Sequence, residues 1–188
     1  MPRLARIVNW ALLLCLTFWP LTGATESYPP LISQAEMIAT DDNQYLLETQ
    51  IDYQLSPVAK EALHKGVPLT WIVYVEIREI GRLWDSSIYS QKLSYRLQFH
   101  ALLNQYEVLI PNDQGEMFLT LNAALGFMSG MRGIPPIPAE LFKPGHHYKL
   151  AMKCLFDRES LPVPLRPFAY LDTQWFLSSD WYIWPIQK

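Results

Sequence analysis

The chain has 188 residues, of which 50% are hydrophobic, 13% aromatic and 18% charged, the last below the roughly one quarter usual in soluble proteins. Such a composition excludes a disordered chain or a highly charged binding tail, and it suits one domain with a sizeable core. A formal net charge of −3 argues against a basic footprint for nucleic acid.

Residues 1–24 have the layout of a secretory signal peptide. Arg3 and Arg6 form a positive start, Ile7 to Trp19 is apolar except for Asn9 and Thr17, and Thr22-Gly23-Ala24 offers small residues before Thr25. The apolar run is shorter than the roughly 20 residues of a comfortable membrane span. The alternative is an uncleaved anchor at residues 7–19 in the inner membrane, and membrane contact is expected only in that case. Cys15 follows Leu14, where a lipid-attachment box wants Gly or Ala, so lipidation is not expected. Cleavage after Ala24 removes two basic residues and no acidic one, which takes the net charge to −5. Cys154 is then the single cysteine, so the mature fold has no internal disulfide and is held by its core. Residues 25–34 read as a flexible linker, and 35–188 as a single domain.

Within that domain the commonest signal has period two. Leu47, Thr49, Ile51, Tyr53 and Leu55 alternate with polar neighbours, as in a half-buried strand. Ser56-Pro57 opens a short helix near 57–65 that Gly66 closes, with Val58, Ala62 and Leu63 as its apolar stripe. A second strand follows with Leu69, Trp71, Val73, Val75 and Ile77 on one face and Thr70, Tyr74, Glu76 and Arg78 on the other. After a loop from Gly81 to Ser87, the longest alternating run extends from Tyr89 to Ala101, turns near Asn104 and resumes at Tyr106, Val108 and Ile110. Asn112-Asp113-Gln114-Gly115 supplies a further turn.

Leu121, Ala124, Leu125 and Met128 stand at helical spacing, which predicts a second helix near 121–131. Ile134 to Pro138 holds three prolines and reads as a stiff loop. Tyr148 to Phe156 alternates cleanly, with Cys154 on the inward side, and Leu161 to Pro167 is a second proline loop. In the last segment Trp175, Leu177, Ser179, Trp181 and Ile183 share the core parity, so Trp181 is expected to plug the core, and Pro185 ends the pairing. The fold class is therefore all-β or β-rich α+β: an antiparallel β-sandwich of immunoglobulin-like architecture, with about seven strands and two short helices.

Motifs for chemistry are sparse. Gly126-Phe127-Met128-Ser129-Gly130 lacks the spacing of a nucleophile elbow and lies in a helical pattern. His64, His100, His146 and His147 show no metal-ligand spacing, and no pair of carboxylates stands out for glycoside hydrolysis. Phosphate-cradling glycine loops are absent, and an inward Cys154 among apolar neighbours would be an inert thiol. No cofactor, metal or catalytic residue is assigned. What remains is surface: Trp84, Tyr89, Tyr182 and Trp184 are aromatics in loops or on outward parities, and exposed aromatics mark binding patches.

Four blocks, GVPLTWIVYVEI from Gly66, SYRLQFHALLNQYEV from Ser94, LRPFAYL from Leu165 and SSDWYIWPI from Ser178, resemble in that order the blocks of domain of unknown function family 4390. The resemblance spans nearly all of the mature chain, and the terminal block is its most specific part. It implies a proteobacterial exported protein without assigned activity, from a family whose members are often encoded near a membrane sensor histidine kinase. The expectation is a non-enzymatic periplasmic interaction or sensing module that presents aromatic surface to an envelope protein, that kinase among the candidates. The alternative is a glycan- or lipid-binding module using Trp84, Tyr182 and Trp184.

Overall fold

The computed structural model describes residues 27–111 and 114–186. The expected signal segment, the start of the linker and Asn112-Asp113 of the expected turn lie outside the described residues. Among the described residues nine strands and three α-helices follow in chain order: β1 (Leu31–Thr40), β2 (Gln44–Asp52), α1 (Pro57–His64), β3 (Leu69–Glu79), β4 (Ser86–His100), β5 (Gln105–Leu109), β6 (Glu116–Phe118), α2 (Leu121–Ser129), β7 (Ile137–Pro138), β8 (Tyr148–Phe156), α3 (Arg166–Leu171) and β9 (Tyr182–Ile186). They form two antiparallel sheets, of three strands in the order β1-β2-β7 and of six in the order β6-β5-β4-β3-β8-β9.

The alternation read from the sequence is what lets these sheets face each other. Leu47, Ile51 and Tyr53 from the small sheet's side meet Trp71, Val73, Val75 and Ile77 of β3, Leu93, Tyr95 and Leu97 of β4, and Leu150, Met152, Cys154 and Phe156 of β8, all buried. The small sheet is too narrow to cover the large one, and α2 packs against β2, β5 and β6 to complete its layer. Local signals set the boundaries. The Ser56 hydroxyl accepts from the Ala59 N–H at 3.0 Å and caps α1, and Thr120 caps α2 in the same way at 3.2 Å from the Ala123 N–H. Gly66, with φ of 85°, lies just beyond α1, and Asn104 turns β4 into β5 with φ of 51°.

At the centre Trp71 packs edge-on against Tyr53 and Phe156, with ring centroids 5.3 and 5.4 Å away, and its indole N–H donates to the Leu177 carbonyl at 3.2 Å. Cys154 lies in this core beside Tyr53, and burial pushes its thiol pKa well up, as expected of an inert packing residue.

Several expectations change. The sandwich has nine strands rather than about seven among the described residues, split three and six. The strand β1 begins at Leu31, inside the segment expected as linker. The second proline loop ends in a third helix, α3, because Pro167 falls in its first turn, where a missing N–H costs nothing. The first proline loop contributes β7, two residues that pair with β2 at its edge.

The largest correction concerns the tail. Trp175, Leu177 and Ser179 are buried as their parity predicts, yet Trp181 is 37% exposed and does not plug the core. The reason is a pair of serines. The Cys154 N–H donates to the Ser179 hydroxyl at 3.0 Å and the Phe156 N–H to the Ser178 hydroxyl at 2.9 Å. The Ser179 N–H donates back to the Cys154 carbonyl at 2.8 Å, so mixed backbone and hydroxyl bonds fasten the serines to β8, and regular pairing starts only at Tyr182 opposite Met152. The phase shifts by one residue, which exchanges the two faces. Tyr182, Trp184 and Ile186 now pack against the core, while Trp181 and Ile183 turn outward.

Candidate binding surface

The small sheet and α2 cover one face of the six-stranded sheet. On the other face, the outward residues of β3, β4 and β8 fall into register. Tyr74 stands opposite Lys92 on one side and Lys153 on the other, and Arg78 stands opposite Lys149. The Lys92 ammonium lies 5.9 Å from the Tyr74 ring centroid, and the Arg78 guanidinium lies 4.6 Å over the Trp181 ring. The Tyr74 and Trp181 centroids are 6.4 Å apart. Cation, ring, ring and cation therefore run in one strip from Lys92 across Tyr74 and Trp181 to Arg78.

Charge on this face runs against the chain as a whole. Arg78, Lys92, Arg96, Lys149 and Lys153 share it with Glu76, Glu107 and the neighbouring Asp85. Glu76 holds the Arg78 Nε at 2.8 Å. Lys149 is paired with Asp85, and that hydrogen bond keeps the Asp85 carboxyl below its ordinary range. By contrast, residues 31–52 carry Glu36, Asp41, Asp42, Glu48 and Asp52 without a Lys or Arg. The molecule is polarised, basic on the outer face of the large sheet and acidic on the β1–β2 hairpin. A flat face with half-exposed rings between cations stacks on a planar or apolar group while its cations meet an anion.

The four aromatics singled out from the sequence do not form one patch. Tyr182 and Trp184 stack, with centroids 5.8 Å apart and planes at 15°, on the inward side of β9. Trp184 borders a cavity of about 260 Å³ with Ala35, Met37, Leu150 and Ile186. Tyr89 shares that inward side but lies three strands away, in the row Tyr89, Ile77, Leu150, Trp184, about 14 Å at ordinary strand spacing. Its hydroxyl donates to the Pro135 carbonyl at 3.4 Å. Trp84 projects from the β3–β4 loop, 77% exposed.

Sequence reasoning missed Tyr74, Lys92 and Trp181. A signal existed for Tyr74, which shares the polar parity of Glu76 and Arg78, but a parity does not say which residues of other strands lie beside it.

Groups able to do chemistry are spread out. His64 meets the Tyr106 hydroxyl at 2.8 Å and His100 meets Glu107 at 2.7 Å, on opposite faces of the β4–β5 pair, while His146 meets Glu79 at 2.5 Å at the far end of β3. Among the described residues no group of three or more His, Cys, Asp or Glu side chains comes together to hold a metal. Ser129 is the last residue of α2, on a helix rather than a strand-to-helix elbow. Among the described residues no helix is long and apolar enough to cross a membrane.

The family model described as a domain of unknown function (DUF4390) matches residues 30–185 of the chain. No curated protein and no solved structure matches it.

Proposed function

The chain belongs to this DUF4390 family, and from that premise we propose that it is a non-catalytic interaction module of the bacterial envelope, docking through the outer face of its six-stranded sheet. The observation that carries this reading is the strip of Lys92, Tyr74, Trp181 and Arg78 on a sheet face that no other layer of the described residues covers. Half-exposed rings between cations offer a partner an apolar contact and a charged one side by side. The layout of residues 1–24 supports export to the periplasm as part of this reading. The partner is an envelope protein with an acidic surface, and the periplasmic region of a membrane sensor histidine kinase is the first to try.

Capture of that region by the purified chain tests the proposal. Binding should fall at least tenfold in Trp181→Ala and in Lys92→Glu, and should weaken with salt. No enrichment over an unrelated periplasmic protein removes this partner, and binding unaffected by either substitution removes this face.

A second reading rests on the stacked Tyr182–Trp184 pair beside its cavity, the form in which the glycan or lipid hypothesis survives. Tryptophan fluorescence during titration with peptidoglycan fragments or lipids should then show a saturable shift that Trp184→Ala abolishes.

A further inference from the structure

Beyond Phe156 the chain leaves β8 through a turn at Arg158–Ser160 and comes back against it with α3. The two segments meet around one side chain. The Arg158 guanidinium lies 5.2 Å from the centroid of the Tyr170 ring and 4.7 Å from that of Phe176. Two rings hold this cation, but no carboxylate does. Among the described residues Arg158 has no ion pair, and it is the one charged side chain with a buried nitrogen, Nε, that finds no hydrogen-bond acceptor. Its chain neighbour Glu159 is engaged elsewhere, accepting from the Tyr170 hydroxyl and facing the Arg166 guanidinium at 3.5 Å. Nε alone is both covered and unpartnered, so the two terminal nitrogens of Arg158 reach the surface. Apolar surface adjoins them. At about 3.6 residues per turn, Tyr170, Leu171 and Phe168 follow one another around one side of α3, with Ala169 on the buried side. Leu171 is 83% exposed and Phe168 64%.

We propose that Arg158 and the outer side of α3 form a docking site for an acidic side chain of a partner protein, flanked on that partner by apolar residues. The terminal nitrogens of the guanidinium would take the carboxylate in two parallel bonds. Ring faces offset part of the cost of covering a cation, and the carboxylate supplies the rest. Because Tyr170 and Phe176 already order the Arg158 side chain, little conformational freedom is left to lose on binding. Leu171 and Phe168 would cover the apolar neighbours. The site is the protruding side of a helix, which suits a residue on a folded surface; a chain terminus is captured by enclosing backbone groups. Charge disfavours an anionic membrane. Across residues 157–172, Asp157, Glu159 and Asp172 outnumber Arg158 and Arg166, so a sheet of negative headgroups is repelled where a single carboxylate still finds its cation. The site shares no residue with the strip on the large sheet, and the two readings stand or fall separately.

The test uses the purified chain and three labelled ten-residue peptides of Ser and Gly around a centre of Leu-Glu-Leu, Leu-Gln-Leu or Ser-Glu-Ser. Fluorescence anisotropy should give saturable binding of the Leu-Glu-Leu peptide, at least tenfold tighter than of either other. Arg158→Lys keeps the charge but loses the paired bonds, and should weaken that peptide at least tenfold. Leu171→Ser changes a side chain that stands in solvent, so it should hold Tm and still weaken the peptide at least fivefold. Trp181→Ala, on the sheet face, should leave its Kd unchanged. Equal binding of the Glu and Gln peptides, or an unchanged Kd in Arg158→Lys or in Leu171→Ser, would overturn the proposal. So would the absence of binding, or a Kd raised by Trp181→Ala, which would move the peptide to the sheet face. Saturable binding to phosphatidylglycerol vesicles that Leu171→Ser abolishes would give this surface to lipid and overturn it equally.

Discussion

Two tryptophans six residues apart offer the sharpest test of the fold. Trp175 is 3% exposed and stacks on Phe156 with centroids 6.0 Å apart. Trp175→Ala leaves a large cavity in the core and should cost about 3–5 kcal/mol. For a domain of this size about 1 kcal/mol moves Tm by roughly 2–4 °C, so the expected fall is roughly 6–20 °C. Trp181→Ala removes something different: one guanidinium–ring contact with Arg78 and one ring contact with Tyr74, both on the outer face. These are worth about 0.5–1 and about 0.5–1.5 kcal/mol. The loss should therefore be about 1–2.5 kcal/mol, below the about 3–5 kcal/mol expected at Trp175. Urea unfolding of both variants beside the parent, compared at equal m-value, measures the difference. A loss in Trp181→Ala as large as in Trp175→Ala would place the Trp181 indole in the core, and with it refute the phase shift before β9.

Two other predictions concern the same region. Ser179→Ala leaves the buried Cys154 N–H without its partner and should cost about 1–3 kcal/mol, read as a fall in the urea midpoint, a large effect for the loss of one hydroxyl. Burial raises the pKa values of Tyr53, Tyr95 and Cys154, so the folded chain keeps all three protonated where the unfolded chain ionises, near about 8.5 for the thiol and about 10 for the phenols. Their contribution to stability is whole below pH of about 8.5 and is lost progressively as pH rises beyond it. Urea midpoints across that range should fall steadily, Cys154→Ala should delay the onset, and the native thiol should resist Ellman's reagent until the chain unfolds.

How far the sequence was legible depended on how local each determinant is. Alternation in Leu69 to Ile77 and Tyr148 to Phe156 is written residue by residue, and both strands appear where it predicts them, as do α1 opened by Ser56-Pro57 and α2. The determinants that escaped are relational. The two residues of β7 become a strand only because the edge of β2 is there to receive them, and α3 forms inside a stretch whose prolines read as loop. Parity assigned Tyr74 to the outer face, but only the register sets it between Lys92 and Lys153, residues 18 and 79 positions away.

The terminal block shows how a local device and a surface become linked. Ser178 and Ser179 would fit an ordinary strand, and periodicity alone carries the core parity through them to Trp181. Their hydroxyls instead take the N–H groups of Phe156 and Cys154, and the backbone between Ser179 and Tyr182 is freed from the ladder. That release turns Tyr182 and Trp184 inward, where they stack and close the sandwich edge. It also delivers Trp181 to the opposite face, against Tyr74 and beneath Arg78. The aromatic residue that sequence periodicity assigned to the core is thereby the one that completes the candidate docking strip. Restoring a regular ladder through this segment would bury Trp181 and erase the strip in the same step, so the serine pair holds the fold and shapes the surface together.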